Sequence, residues 1–389
     1  MNKPLNPVFS GLPTTIFTVM SDLANEYEAI NLGQGFPDTD GPERLRRAAA
    51  RAIIDGPNQY PQSRGTAELR RAVAEHDRRF YGIDFDWREE VIVTSGATEA
   101  LAACLFSVVG EGDEVIVLEP AYDSYAPIIR AAGGVPRFLQ LQTPDWHLDM
   151  EALAAAINER TGAIMLNSPM NPAGKVFTEQ ELSLIAELAC RHDLYVICDE
   201  VYEHLTFDRC RHIPLITFPG MRDRCMRIGS AGKTFSLTGW KVGYICAGRE
   251  LADTIARAHQ FLTFTTAPAL QHAVTLGLDS DDGYFHDLAA DMQSRRDILA
   301  QGLEKIGFTL LPCQGTYFLV VDYSRLDDSR SDEAFCRTIT MEAGVAAIPL
   351  SAFYQSGAAS APRNLIRFCF CKKPEILKEA VNRLSDYLG

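Results

Sequence analysis

The chain has 389 residues, of which 47% are hydrophobic and 23% are charged, and its formal net charge is −14. This apolar content is enough for a large core and for more than one domain, whereas the acidic balance argues against nucleic acid as a partner. No apolar run reaches the length of a membrane-spanning helix. The ten cysteines form no zinc-type CxxC pair, so we expect reduced thiols, no metal site and a cytoplasmic location.

The first two thirds of the chain alternate short apolar runs with helical patterns. Helices are predicted, for example, at Thr98–Val109 and Glu179–His192. The apolar runs predict strands at Val91–Thr94, Glu114–Leu118, Ala163–Asn167, Tyr195–Cys198, Met226–Gly229 and Val242–Ala247. Strands that are apolar throughout are buried on both faces, so the pattern predicts an α/β fold with a mostly parallel central sheet covered by helices.

The last third of the chain has a different pattern. A long helical pattern at Asp282–Ile306 precedes a region that is rich in predicted strands, at Gly315–Asp322, Val345–Ile348 and Leu365–Cys371. Helices lie between these strands. The pattern predicts a second, smaller α+β domain.

The first motif that indicates chemistry is Ser95–Ala100, between a predicted strand and a predicted helix. Its small residues leave amide N–H groups free at a helix start, where phosphate binds without special side chains. Ser230 and Lys241 are candidates to complete such a site with a hydroxyl and a cation. A plain capped helix N-terminus is the alternative.

Two further motifs follow predicted strands. Asn167–Lys175 contains the pair Asn171-Pro172, which either forms an ordinary turn or presents the Asn171 amide to a ligand. Asp199 and Tyr202 follow the strand Tyr195–Cys198, at the carboxyl end where doubly wound folds bind ligands. Asp199 is equally a candidate for the N-cap of a following helix.

The strongest local motif is Ser230–Gly243, directly after an apolar strand. Small residues around Lys233 allow another group to approach the backbone closely. A lysine at the end of a buried strand loses solvation and ionises at lower pH, which suits it to Schiff-base chemistry. A solvated loop lysine is the alternative, whereas a P-loop is excluded because Arg227 stands where that motif needs glycine.

The last motif places Arg367 inside the apolar strand pattern Asn364–Phe370. A buried arginine is costly unless it is paired. An internal salt bridge would explain it, and so would a planar fork that binds a substrate carboxylate in bidentate fashion.

The order of these motifs resembles that of the class I/II aminotransferases, which have the pyridoxal 5'-phosphate (PLP) fold type I. The resemblance extends over almost the whole chain. Asn31–Asp38, Tyr122–Pro127 and the lysine motif are similar to one branch, which holds the methionine and kynurenine aminotransferases. The resemblance implies a large PLP-binding domain at residues 46–284 and a small domain formed by residues 1–45 and 285–389.

The resemblance also implies a role for individual residues. PLP would be bound as an imine on Lys233, and Asp199 and Tyr202 would complete the catalytic group. The implied cofactor-binding residues are Gly96, Ala97, Thr98, Tyr122, Asn171, Asp199, Tyr202, Ser230, Lys241 and, across a homodimer, Tyr60. The implied substrate-binding residues are Phe17, Gly35, Asn171, Arg367 and Phe264.

The expected activity is ping-pong transfer of the amino group from an apolar or aromatic amino acid, with methionine favoured, to a 2-oxo acid. Kynurenine transamination and β-elimination from cysteine S-conjugates are the alternatives within the same branch. A regulator with an aminotransferase-like sensor domain is disfavoured, because the residues before Asn31 are too few for a DNA-binding module.

Overall fold

A computed structural model describes residues 3–354 and 361–389. Within these ranges the strands form three sheets. The strands are β1 (Ile30–Asn31), β2 (Val91–Thr94), β3 (Glu114–Glu119), β4 (Val135–Gln140), β5 (Thr161–Asn167), β6 (Tyr195–Asp199), β7 (Cys225–Ser230), β8 (Gly243–Ala247), β9 (Thr309–Leu310), β10 (Phe318–Asp322), β11 (Val345–Ala346), β12 (Ile348–Pro349) and β13 (Leu365–Cys369).

The helices begin and end at residues suited to those positions. Thr178 and Glu181 form a reciprocal capping box at the start of one helix, and Gly307 ends the longest helix at a φ of 119°. The helices are α1 (Pro7–Ser10), α2 (Ile16–Glu26), α3 (Glu43–Asp55), α4 (Ala67–Tyr81), α5 (Ala97–Val108), α6 (Tyr125–Ala131), α7 (Met150–Ala156), α8 (Glu179–Arg191), α9 (Ala231–Thr234), α10 (Arg249–Leu262), α11 (Pro268–Leu278), α12 (Asp282–Ile306), α13 (Asp332–Glu342) and α14 (Pro374–Leu388). Among the described residues, no helix combines the length and the apolar character needed to cross a bilayer.

The central sheet has seven strands in the order β2-β8-β7-β6-β5-β3-β4. The pairs that join β7, β6, β5, β3 and β4 are parallel, whereas β8 is antiparallel to both of its neighbours. Every residue of β2, β3, β7 and β8 is buried, as expected for strands covered on both faces. The prediction of a mostly parallel α/β sheet is therefore confirmed.

The C-terminal part forms the smaller α+β domain. Its four strands lie in the order β12-β13-β10-β9, and every pair is antiparallel. The N-terminal strand β1 pairs with β11 in parallel, and α2 packs against α13. Residues from the start of the chain are thereby brought beside β13, which carries Arg367.

Several elements differ from the predicted ones. Strand β4 was not predicted, since it lies at the sheet edge, contains Pro136 and has partly exposed side chains. The run predicted at 345–348 divides in two, because β11 pairs with β1 while β12 pairs with β13. Helix α12 begins at Asp282, before the boundary predicted at residue 285. The predicted small domain also includes residues 1–2 and 355–360, which lie outside the described residues.

Candidate active site

A cavity of about 370 Å³ lies at the carboxyl edge of the central sheet. Residues that follow β2, β3, β5, β6 and β7 meet there, because these strands run in the same direction and end at the same edge. Thirteen of the predicted site residues line it: Phe17, Gly35, Gly96, Ala97, Thr98, Tyr122, Asn171, Asp199, Tyr202, Ser230, Lys233, Lys241 and Arg367.

Lys233 lies in the short helix α9, directly after β7. Its Nζ donates a hydrogen bond of 2.8 Å to the hydroxyl oxygen of Tyr317. Burial lowers the pKa of Lys233 to about 8, because the protein interior disfavours the charged ammonium. Lys233 is therefore no solvated loop lysine, and its amine is suited to nucleophilic attack and proton transfer.

Asp199 ends β6 and is 5% exposed. Its Oδ2 accepts a hydrogen bond of 2.7 Å from the hydroxyl of Tyr125. Burial raises the pKa of Asp199, while the Tyr125 hydroxyl and the nearby Lys233 ammonium oppose that shift. In the described chain no α-helix begins after Asp199 before α9, so the interpretation as an N-cap is wrong.

The start of α5 has the features of an anion site. Gly96 precedes the helix at a φ of 83° and provides no side-chain cap, so the first amide N–H groups have no capping side chain. A Cβ on Gly96 would lie 3.3 Å from Nζ of Lys241, and one on Gly243 would lie 3.0 Å from the Ala97 nitrogen. Glycine at both positions therefore allows the backbone, Lys241 and the start of α5 to lie close together.

Arg367 is 1% exposed and lies at the centre of β13. Its Nη1 donates to Oδ1 of Asn171 at 2.8 Å, and its Nη2 donates to the Gly33 carbonyl at 2.7 Å. The guanidinium carbon lies 3.9 Å from the ring centroid of Phe318. Burial lowers the pKa of Arg367 to about 10, which still leaves it charged at neutral pH.

Arg367 forms no ion pair with any carboxylate of the described residues, and its Nε has no hydrogen-bond partner among them. The alternative of an internal salt bridge is therefore wrong. A buried cation with an unpaired donor that lines a cavity is suited to binding an anionic ligand group.

Two predicted residues lie elsewhere. Tyr60 and Phe264 do not line the cavity of their own chain. Their rings contact each other edge to face, 5.2 Å apart, and they are 83% and 39% exposed. The structure therefore does not bring these two residues together with the other predicted site residues.

Three residues of the cavity region were not predicted. Tyr125 binds Asp199, Tyr317 binds Lys233, and Asp123 lines the cavity beside Arg367. The motif Tyr122–Tyr125 contains two of them, and its polar residues after a buried strand were the available signal. Tyr317 had no such signal, because it belongs to the other domain and precedes β10.

A buried ion cluster lies directly beyond Asp199 in the chain. Arg227 of β7 is fully buried and binds the carboxylates of Asp77, Glu200 and Glu203. Beside it, Nε2 of His76 lies 2.8 Å from Nε2 of His204. These residues do not line the cavity, so the cluster supports the strands that carry the site rather than the site itself.

The sequence matches the class I and II aminotransferase family over residues 27–384. The chain belongs to this family. The family resemblance inferred from the motifs is therefore confirmed.

Named aminotransferases are similar to this one over nearly its whole length. A probable N-succinyldiaminopimelate aminotransferase of Mycobacterium tuberculosis is 46% identical, with 96% of each chain covered. The methionine aminotransferase of Escherichia coli is 42% identical, with 99% of each chain covered. Human kynurenine–oxoglutarate transaminase 3 is 36% identical, with 95% of this chain and 87% of that protein covered.

Solved structures have the same fold. The M. tuberculosis N-succinyldiaminopimelate aminotransferase matches with a TM-score of 0.95, covering 98% of this chain and 100% of that one. An E. coli protein with a methionine aminotransferase function matches with a TM-score of 0.94 and the same coverage.

The aminotransferase depends on PLP, as its family and relatives do, and the residues of the cavity fit that cofactor. The uncapped start of α5, together with Lys241 and Ser230, provides N–H groups, a cation and a hydroxyl for a phosphate. Lys233 provides an amine of lowered pKa, and Asp199 provides a buried carboxylate that lacks a directly bound cation. The Lys233 amine is suited to bind an aldehyde, and the Asp199 carboxylate is suited to bind a protonated ring nitrogen.

Proposed function

We propose that the aminotransferase moves the amino group of an apolar or aromatic amino acid, with methionine favoured, to a 2-oxo acid by a ping-pong mechanism. The distribution of charge in the cavity carries this proposal. Its lining cations are Lys233, Lys241 and Arg367, and the cofactor and the substrate α-carboxylate account for all three. No lining cation is left for a substrate side chain.

The remaining side chains of the cavity also favour an uncharged substrate. Phe17, Tyr122 and Phe318 provide aromatic surface, and Asp123 adds a carboxylate beside Arg367. A second carboxylate on the substrate would meet Asp123 rather than a cation, which disfavours aspartate and glutamate. Methionine, phenylalanine and kynurenine have no such carboxylate in their side chains.

Each residue of the site has a distinct proposed task. Bound PLP supplies an aldehyde that condenses with amines and a pyridine ring that takes up electrons. Arg367 and the Gly35 segment orient the substrate carboxylate, while Asn171 and Tyr202 hold the cofactor ring oxygen. Lys233 carries the proton that leaves the substrate α-carbon, because its lowered pKa of about 8 leaves a substantial fraction of the amine neutral near that pH. Asp199 keeps the ring nitrogen protonated.

N-succinyldiaminopimelate is a second candidate substrate, because a probable N-succinyldiaminopimelate aminotransferase is 46% identical. Its side chain carries additional carboxylates, and the lining residues provide no cation for them. Kynurenine transamination and β-elimination from cysteine S-conjugates remain alternatives, since the same lysine and cofactor would serve them.

We also propose a homodimer in which Tyr60 and Phe264 complete the active site of the partner subunit. Their exposure and their mutual ring contact support this assembly, because large exposed aromatic side chains are typical of interfaces. The ten cysteines form no disulfide, which supports the proposal of a cytoplasmic location. We retain the proposed domain limits of residues 46–284 and of 1–45 with 285–389.

The test is a titration of the purified holoenzyme with an amino acid panel, followed by its visible spectrum and by keto acid release. Methionine and aromatic amino acids should convert the cofactor at much lower concentration than aspartate or N-succinyldiaminopimelate. Preferential conversion by N-succinyldiaminopimelate would overturn the methionine assignment. Release of pyruvate and ammonia from a cysteine conjugate, without any 2-oxo acid acceptor, would favour the lyase.

A further inference from the structure

Tyr317 connects the catalytic lysine to the segment that receives the substrate carboxylate. Its hydroxyl lies 2.8 Å from Nζ of Lys233 and 2.6 Å from the carbonyl oxygen of Gly35. Tyr317 is 1% exposed and does not line the cavity. Tyr317 therefore contacts Lys233 from the protein interior. The side of the amine that faces the cavity stays free for ligands.

The chemistry of the two partners fixes the direction of both hydrogen bonds. The Gly35 carbonyl can only accept, so the Tyr317 hydroxyl donates its hydrogen to Gly35. The lone pairs of the phenol oxygen are then left to accept an N–H from Lys233. Tyr317 can serve as an acceptor for Lys233 in both the amine and the ammonium form, without gaining or losing a proton itself.

The Gly35 segment is held tightly against this tyrosine. A Cβ on Gly35 would lie 2.5 Å from Cζ of Phe318 and 3.3 Å from Cε2 of Tyr317. Only glycine allows the backbone to approach this closely. The distance from the Gly35 carbonyl to the lysine amine is therefore set by close contacts with the buried rings of Tyr317 and Phe318.

We propose that Tyr317 is a positioning residue, which holds the free amine of Lys233 by one N–H and fixes it relative to the substrate-carboxylate segment at Gly35. This proposal rests on the proposed function of Lys233 as the proton carrier. When the α C–H bond breaks, the proton forms a new N–H bond on Lys233, and the electron pair of the C–H bond stays with the substrate carbon. Tyr317 accepts from Lys233 throughout, so it orients the nitrogen lone pair towards the cavity.

The hydrogen bond from Lys233 to Tyr317 should affect the pKa of Lys233. An acceptor oxygen stabilises ammonium more than amine, so it opposes the effect of burial. Removing the hydroxyl should therefore lower the pKa of Lys233 further. A hydrogen bond of about 1 kcal/mol corresponds to a shift of somewhat less than one pKa unit.

The experiment compares Tyr317→Phe with Tyr323→Phe. The control also removes a buried hydroxyl that donates to backbone carbonyls, those of Arg330 and Arg363, in the same domain. In PLP-free protein, Lys233 is labelled with acetic anhydride across a pH series and quantified by peptide mass spectrometry. The pH at which labelling of Lys233 is half-maximal is expected near 8 in the wild type. It should fall by about half to one unit in Tyr317→Phe and stay unchanged in Tyr323→Phe.

A second measurement is the kinetics of the PLP-loaded enzyme with methionine. Tyr317→Phe should lower kcat about fivefold, which matches the loss of one hydrogen bond of about 1 kcal/mol, while Tyr323→Phe should not. Tyr317→Leu should shift the labelling midpoint in the same direction, which separates the hydroxyl from any effect of the phenylalanine ring. An unchanged midpoint in folded Tyr317→Phe, or an equal shift in Tyr323→Phe, would overturn the proposal. The labelling result does not depend on amino transfer, so failure of the proposed function would be recognised separately, by an inactive wild type.

Discussion

The hydroxyl of Tyr125 donates a hydrogen bond of 2.7 Å to Oδ2 of Asp199, and both residues are buried. This bond helps to keep the Asp199 carboxylate ionised against the effect of burial. Tyr125→Phe should therefore weaken PLP binding about ten- to a hundredfold, because hydrogen bonds to charged groups contribute about 1.5–3 kcal/mol. The visible absorbance of bound cofactor during dialysis measures the change. Unaltered affinity in Tyr125→Phe would show that the bond is not needed.

Lys233 is expected to carry both the covalent attachment of the cofactor and the proton transfer. Lys233→Ala should retain less than about a thousandth of the wild-type rate, since general acid–base catalysis alone contributes about a hundred- to ten-thousandfold. Borohydride treatment of the holoenzyme should label residue 233 in the wild type only. Lys305→Ala, which removes an exposed lysine of α12, is the matched control and should be fully active.

Arg367 should bind the substrate carboxylate through its planar fork. Arg367→Lys keeps the charge but removes bidentate binding, and we expect kcat/KM for methionine to fall at least about a hundredfold, or about 2.7 kcal/mol. Steady-state kinetics would detect this. A loss confined to a few-fold would indicate that the carboxylate binds elsewhere.

Stability should fall in mild acid because of the histidines near the buried ion cluster. Burial lowers the pKa of His76 to about 3 and that of His204 to about 4. Between the ordinary pKa near 6.5 and these values, the unfolded chain binds more protons than the folded one, so stability decreases as the pH falls through this window. Tm measured from pH 7 to pH 4.5 should decline less steeply in His76→Gln. Parallel curves for the variant and the wild type would contradict this prediction.

The dimer proposal predicts a sedimenting mass of twice the 43.0 kDa chain. Phe261 is 86% exposed, near the Tyr60–Phe264 pair in the chain. Phe261→Glu should shift the protein towards monomers and weaken PLP retention, because a charge at an apolar contact is costly to bury. Met341→Glu, which charges an exposed position on α13, should do neither. A wild-type monomer with full activity would refute the assembly.

The sequence alone predicted the site residues whose positions follow from the neighbouring strands. Asp199 and Ser230 end buried strands and Asn171 comes shortly after one, and parallel strands bring such residues to one edge. Arg367 was recognisable because a cation inside an apolar pattern requires an explanation. Lys233 was recognisable because it follows a buried strand and has small neighbours. These residues do line one cavity.

The rest depended on contacts between distant parts of the chain. Tyr317 is 84 positions from Lys233, and Tyr125 is 74 positions from Asp199. A tyrosine in an apolar segment has the same pattern whether its hydroxyl meets a backbone carbonyl or a catalytic group. The antiparallel direction of β8 was likewise hidden, since a buried strand is apolar in either direction.

In its proposed role of binding the substrate carboxylate, the buried guanidinium of Arg367 in β13 would also determine which amines can react. Its positive charge is held by an amide oxygen and a carbonyl oxygen, neither of which neutralises it. A decarboxylated amine that entered the cavity would leave this charge uncompensated and shielded from water, at a cost of several kcal/mol. The proposed role of Arg367 therefore predicts that the protein discriminates between amino acids and the simple amines derived from them by a charge that is in place before any substrate arrives.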